Sequence, residues 1–252
     1  MCADSPLIAN RVLDRCESTN DCARQLGEQG FPHGTWVSAK IQEKGRGRLG
    51  REWVSREGNL FLSIVARIEP KNVWTWVPLT AAVGVAKALR EREPSLPIKI
   101  KWPNDLWLNH AKVGGILCEA VGNKNGSFII IGLGLNCAHA PSGLDQRTTC
   151  LNTAVDEIRP VIIENVLESL RVLSTQGPSA IRSIYESWAV FAPGSQAKLK
   201  DGTIVTIDRL GLSGELLVKN QEGEIIPLYA EDVHPIKAWN AKATDQPLSP
   251  SE

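Results

Sequence analysis

The 252-residue sequence has no surplus of charge: 28 lysines and arginines balance 28 aspartates and glutamates. A protein whose main task is holding long nucleic acid carries a domain-wide basic excess, so that class is disfavoured, while small anionic ligands stay open. Long hydrophobic runs are missing too. The longest apolar stretch, Phe128 to Leu135, is far short of a membrane span, and Met1 to Arg15 contains no apolar core for a signal peptide. A cytoplasmic protein is expected. Closely spaced cysteine pairs are lacking: Cys2, Cys16, Cys22, Cys118, Cys137 and Cys150 form no C-x-x-C, and the four histidines have no ligand spacing. This predicts reduced thiols packed as small apolar groups, without structural zinc or any other dedicated metal site. With 42% hydrophobic and 22% charged residues, whole-chain disorder is excluded, and the length supports one sizeable core plus a small second one. No internal repeat is found.

What is present is charge concentrated in one place. From Lys40 to Trp53 there are five basic and two acidic side chains, a local surplus of +3. The run Lys44-Gly-Arg-Gly-Arg-Leu-Gly-Arg-Glu-Trp53 sets arginines between glycines and is too polar and glycine-rich for helix or strand. Glycine lets the backbone turn and approach a ligand closely, and each guanidinium presents a planar fork of donors to phosphate or carboxylate. A mobile, anion-gripping loop is predicted.

Around it, Ser18-Thr19-Asn20-Asp21 precedes a helical pattern that stops near Gly27 to Gly30. Strands are predicted at 35–39, 59–67, 98–101, 105–108, 112–121 and 127–136, with turn signals at Asn109-His110 and Gly122 to Gly126. A buried amphipathic helix is predicted over 74–93, ended by Pro94 and Pro97, and helix returns over 160–188 with a break at Gly177-Pro178. Consecutive hairpins imply a largely antiparallel sheet. After Pro193-Gly194 the texture becomes short strands with Asp-Gly, Ser-Gly and Glu-Gly turns. The fold class is therefore α+β: a first domain over 1–192, a small β-barrel-like domain over 193–237, and a frayed tail over 238–252. Trp36, Trp74, Trp76 and Trp107 fall in strand or helix patterns and are read as core.

Four further pieces accompany the basic loop: Ser18-Thr19-Asn20, Lys101-Trp-Pro-Asn-Asp105, Lys112-Val-Gly-Gly-Ile-Leu117 and Gly132-Leu-Gly-Leu-Asn136. Singly they also read as a helix cap, a tight turn and bulged strands, and the loop as a solvated surface. In this order, GRGRLGREW, KWPNDLWL and KVGGILCE resemble the biotin protein ligases, which join biotin to a lysine of carboxylase carrier domains. The resemblance spans about residues 10–137, and more loosely the C-terminal part. It implies a central mixed sheet flanked by helices (class II synthetase-like), an SH3-like barrel, and a two-step ATP-dependent reaction. The catalytic motifs begin by residue 18, so a ligase-only form without a DNA-binding winged helix or repressor activity is expected.

The chemistry needs fixed positive charge, because activation brings a carboxylate against the α-phosphate of ATP. Arg48, Arg51 and Lys112 meet that need, Lys112 held rigidly at a strand start and the arginines on a loop that orders late. The resemblance implies that Ser18, Thr19, Asn20 and Gln42 contact the ureido head of biotin. Gly45, Arg46, Gly47, Arg48 and Lys112 would complete the biotin site, and Gly114 and Gly115 suit a wall where backbone passes close to the bicyclic ring. The resemblance likewise implies that Arg48, Arg51, Trp53, Asn104, Lys112, Ile116 and Asn136 stand on the nucleotide side, with Trp53 beside the adenine. Asp105 is the candidate for orienting or deprotonating the incoming lysine ammonium, or else for holding magnesium, which is expected as part of the MgATP complex. No enzyme nucleophile is needed, and the partner is a biotin carboxyl carrier protein, with monomer or homodimer left open. Two departures are visible. Leu49 stands where many relatives have a basic residue, and Tyr229-Ala-Glu-Asp-Val replaces a Gly-Glu-Val type ending. The rival readings are a lipoate ligase or octanoyltransferase of the same fold, which generally lacks the GRGR loop, and an RGG-like nucleic-acid module, which requires repeats and excess charge.

Overall fold

A computed structural model describes residues 9–123, 126–144, 146–229 and 233–235. The expected tail at 238–252, Cys2, residues 124 and 125 of the predicted turn and residues 230–232 of the Tyr229 run lie outside the described residues. The larger sheet holds β1 (Arg11–Cys16), β2 (Trp36–Gln42), β3 (Leu60–Ala66), β4 (Ile98–Lys101), β5 (Asp105–Leu108), β6 (Ala111–Asn123) and β7 (Gly126–Leu135) in the order β1-β2-β3-β7-β6-β5-β4. Only β1 and β2 run parallel, so the sheet is mixed and largely antiparallel. The sequence pattern did not mark β1. Its residues Arg11, Asp14 and Arg15 break the apolar alternation, which suits an edge strand.

Side chains alternate across the sheet, and each face has its own cover. Leu60, Leu62 and Ile64 of β3 and Ile129, Ile131 and Leu133 of β7 join one core with α2 (Val77–Arg92), α3 (Val155–Gln176) and α4 (Pro178–Trp188). On the other face Val65, Phe128 and Ile130 pack with Cys22, Ala23 and Leu26 of α1 (Thr19–Glu28). Gly84 of α2 allows the close crossing of α3, since a Cβ there would stand 2.6 Å from the Val166 Cα. The helix predicted from Trp74 begins at Val77, because Lys71–Trp76 forms a 3-10 run that delivers Pro78 into the first turn. The helix predicted from Pro160 begins instead at Val155, where Asp156 and Glu157 complement the N-terminal dipole and Pro160 is tolerated inside.

The second sheet contains β8 (Gln196–Leu199), β9 (Ile204–Leu210), β10 (Leu216–Lys219), β11 (Ile225–Leu228) and β12 (Val233–Pro235), antiparallel in the order β11-β10-β9-β8-β12. Its β9–β10 turn is held from the larger part by three donors. Trp76 Nε1 donates to the Leu212 carbonyl at 2.8 Å, Trp102 Nε1 to Gly214 at 3.0 Å, and Arg182 Nη2 to Gly211 at 2.6 Å. Trp76 is core, and Trp36 and Trp74 pack against that core. Trp107 departs from the expectation: it lies outside both apolar clusters, with Lys101 Nζ 5.3 Å from its ring centroid. Among the described residues no helix is long and apolar enough to cross a membrane.

Candidate functional site

On the α1 side of the larger sheet, the open floor of β7, β6, β5 and β4 forms a cavity of about 710 Å³. Every sequence-predicted site residue lines it except Gly45 and Gly114. Gly114 faces the opposite side of β6, where a Cβ would meet Leu135 at 2.8 Å and Leu106 at 3.3 Å; of the expected wall pair only Gly115 reaches the cavity. The parity is set by a bulge in the β5–β6 pairing, where Leu106 faces Gly114 but Trp107 faces Lys112. Gly45 stands behind the wall, with space only for hydrogen: a Cβ there would lie 2.5 Å from the Trp53 carbonyl oxygen.

One end of the cavity is a hydrogen-bond cluster at the start of α1. Ser18 is the N-cap residue, but its side chain makes no capping bond. The Thr19 amide and hydroxyl approach Gln42 Oε1 at 2.9 and 3.0 Å, and the Ser63 hydroxyl lies 2.8 Å from Thr19 Oγ1 and 2.6 Å from Asn20 Oδ1. Asn20 Oδ1 only accepts, so the single Ser63 proton goes there, leaving the Thr19 proton to be shared between Gln42 and Ser63. Asn20 Nδ2 donates to Glu119 Oε2 at 2.6 Å, and Arg24 braces the same carboxylate at 3.1 Å. Neither Ser63 nor Glu119 was singled out by sequence, for they belong to strands that meet α1 only in the fold.

The floor is made of glycine. A Cβ at Gly132 would fall 2.2 Å from Asn20 Oδ1, and one at Gly134 would fall 2.3 Å from Trp53 Cε2. The glycines thus admit the Asn20 amide and the Trp53 indole. That indole also lies against Gly115, with Lys112 Nζ 5.5 Å from its ring centroid, and its own Nε1 is buried without a hydrogen-bond acceptor.

The other end is cationic. Lys112 Nζ lies 2.7 Å from Asp105 Oδ1, the two side chains 16% and 13% exposed. The basic loop forms a small hairpin: Gly47 N–H donates to the Arg51 carbonyl at 2.7 Å, and Trp53 N–H to Gly45 at 2.9 Å. Leu49, at its 3-10 tip, has φ +57° and points away from the cavity. Arg46 grips Asp21 of α1 through two bonds of 2.8 and 2.6 Å, which raises the proton affinity of its guanidinium. Arg48 Nη1 reaches across to Asn104 Oδ1 at 3.0 Å, and Asn104 Nδ2 is anchored on the Ile116 carbonyl at 2.6 Å. The loop therefore bridges from α1 to the β4–β5 turn.

Sequence reasoning missed several lining residues. Lys101 stood in a quoted motif without a role. Pro141, Leu144, Gln146 and Thr148 belong to a patternless segment that folds in because Lys112 N–H donates to the Arg147 carbonyl and Thr149 N–H to Lys112, both at 2.9 Å. Asn136 Nδ2 secures the same segment through the Thr149 carbonyl at 3.0 Å. Lys200, Val233 and His234 come from the second sheet. Among the described residues no three His, Cys, Asp or Glu side chains gather as a metal site. Among the described residues none of the five cysteines is in a disulfide bond; burial raises the Cys118 thiol strongly and pushes Cys137 up to about 12, so both stay protonated and poorly nucleophilic at neutral pH.

Residues 12–136 match the model of the Biotin/lipoate A/B protein ligase family. A bifunctional ligase/repressor BirA of Bacillus spizizenii is 33% identical over 236 residues, 87% of this chain and 72% of that protein. The biotin--[acetyl-CoA-carboxylase] ligase of Paracoccus denitrificans is 39% identical over 133 residues, 52% of this chain and 55% of its own length. Among solved structures, a biotin protein ligase from Aquifex aeolicus in complex with biotin and ATP superposes with a TM-score of 0.74 at 28% identity, over 89% of this chain and 98% of that one.

Proposed function

Because the chain belongs to the biotin protein ligase family, we propose that it activates biotin as biotinyl-5'-AMP and passes the biotinyl group to one lysine of a biotin carboxyl carrier protein of acetyl-CoA carboxylase. What carries this reading is one cavity with a neutral, donor-and-acceptor end at Ser18, Thr19, Asn20 and Gln42 and a cationic end at Lys112, Arg48 and Arg51. That polarity matches a ureido ring joined by a chain to a carboxylate.

In the first step a biotin carboxylate oxygen attacks the α-phosphorus of ATP, the bond to the β-phosphate oxygen breaks, and pyrophosphate leaves with the electron pair. Lys112 is fixed in place by Asp105, and Arg48 by Asn104, so both cations are oriented before charge builds up. Trp53 would pack beside the adenine, with Ile116 and Asn136 on the nucleotide side. Magnesium is read as part of the nucleotide substrate and neutralises phosphate charge. In the second step the carrier amine attacks the acyl carbon, AMP leaves, and Asp105 takes the ammonium proton. A closed loop keeps water from the mixed anhydride in the interval.

Ligation without repression is proposed, in the cytoplasm where ATP and carboxylases meet; a gel shift with promoter DNA in the presence of biotin and ATP checks the former. The activity is tested by exchange of labelled pyrophosphate into ATP, expected with biotin and not with lipoate. Exchange driven by lipoate alone would sink the proposal in favour of a lipoate ligase. The neutral end has its own test: Gly132→Ala pushes a methyl into the Asn20 amide and is expected to raise KM for biotin at least about tenfold. An unchanged KM would remove Asn20 from the biotin site.

A further inference from the structure

Asn20 lines the cavity and Glu119 does not, yet the two are joined by the 2.6 Å bond from Asn20 Nδ2 to Glu119 Oε2. The other carboxylate oxygen accepts from Arg24 Nη2 at 3.1 Å. A carboxylate paired with a guanidinium offers acceptors only, so it can face the nitrogen of the Asn20 amide and not the oxygen. Turned over, Oδ1 would stand against Oε2 as acceptor against acceptor. The Leu117 carbonyl, 3.5 Å from Nδ2, is a second acceptor on the same strand. The β6 side therefore takes the nitrogen end.

Ser63, on the β3 side, makes no such choice. Its hydroxyl donates to Oδ1 at 2.6 Å, but a hydroxyl also accepts, and with the amide turned over its proton would pass to Thr19 Oγ1 at 2.8 Å. The orientation of Asn20 is thus decided at β6. Its consequence appears at the glycine floor, where Oδ1 is the Asn20 atom nearest Gly132, 2.2 Å from the place of a Cβ. Ser63 occupies one lone pair of Oδ1, which leaves the second for another donor at the neutral end. A cyclic urea carries such donors in its two ring N–H groups.

We infer that Glu119 is a positioning residue for biotin: braced by Arg24, it holds the Asn20 amide so that the oxygen, and not the nitrogen, is offered to a ureido N–H. This rests on the activity proposed above. Glu119 acts through Asn20 alone, and that separates its role from a general contribution to folding.

Glu119→Gln keeps the shape and changes the polarity. Arg24 can only donate, so it takes the glutamine oxygen and leaves the new NH2 group against Asn20 Nδ2. Relief comes from turning the Asn20 amide over, which places an N–H where the N–H of the ligand arrives. Purified full-length protein is compared with Glu119→Gln, Asn20→Ala and the double variant in biotin-dependent exchange of pyrophosphate into ATP, read as KM for biotin and kcat. Glu119→Gln is expected to raise KM about tenfold, the effect of a buried donor left facing a donor, with kcat changed by less than about twofold. In the Asn20→Ala background the same substitution is expected to change KM by less than about twofold, because the group it acts through is gone. An unchanged KM in Glu119→Gln or in Asn20→Ala, or losses that multiply in the double variant, overturn the inference. Should the glutamine variant fail to fold in a urea titration, Glu119→Ala takes its place in the cycle and the same outcomes decide. Exchange that proceeds normally with biotin but without this coupling overturns the role of Glu119 and leaves the activity standing. No biotin-dependent exchange in the unmodified protein overturns both.

Discussion

Replacing Lys112 with methionine is expected to lower biotin-dependent pyrophosphate exchange by roughly 10²–10³-fold, the range for losing one preorganised electrostatic group. The size follows from what is left behind. Lys112 Nζ and Asp105 Oδ1 are 2.7 Å apart in a site where both side chains are largely shielded from water. In the proposed reaction the variant removes the cation from beside the phosphate and leaves the carboxylate facing it, so attraction is replaced by repulsion. Adding Asp105→Asn removes the repulsion without restoring the cation, and exchange should recover in part while staying well below the unmodified level. Near-normal exchange in Lys112→Met, with folding verified by near-ultraviolet circular dichroism, would end the role given to this pair.

Replacing Arg48 with alanine is expected to shorten the lifetime of bound biotinyl-5'-AMP by about tenfold or more. Arg48 does two jobs in the geometry. In the proposed reaction it would supply positive charge at the α-phosphate, and its bond to Asn104 fastens the loop hairpin to the β4–β5 turn. Its loss leaves the hairpin held through Arg46 and Asp21 on the α1 side, and the far side opens to water. Escaped adenylate would acylate bystander lysines, so labelling of an added unrelated protein should rise. A chase in which pre-formed adenylate stays bound as long as in the unmodified enzyme would contradict this.

The fold was largely legible because its central elements bury whole faces. The run Leu60–Ala66 and the helical spacing of Val77 to Leu89 point to buried elements in any context. Elements at the margin were less clear. β1 carries charge on an edge, and the 3-10 run before Val77 shares the helix pattern without the helix geometry. In the site, short motifs named most of the wall formed by the larger sheet and the basic loop, since each motif is one turn or one strand end. What they omit is set by pairing across long sequence distances. The Asn20–Glu119 bond joins residues 99 apart, and Ser63 reaches Asn20 from 43 away. Gly114 and Gly115 are adjacent letters with opposite directions, and the choice between them depends on a bulge that only the β5–β6 register reveals. The segment carrying Pro141 to Thr148 has no periodicity at all; backbone bonds to Lys112 bring it in.

The fastening of the β9–β10 turn bears on how small this enzyme can be made. Trp76 and Trp102 are almost wholly enclosed, and each indole N–H ends on a carbonyl of that turn. Trimming the chain after Pro193, an obvious route to a minimal catalyst, would remove both acceptors and uncover the two indoles to water, and it would strip Lys200, Val233 and His234 from the cavity rim. Miniaturisation would have to begin elsewhere, because the appendage that looks dispensable in the sequence also closes the tryptophan side of the catalytic body.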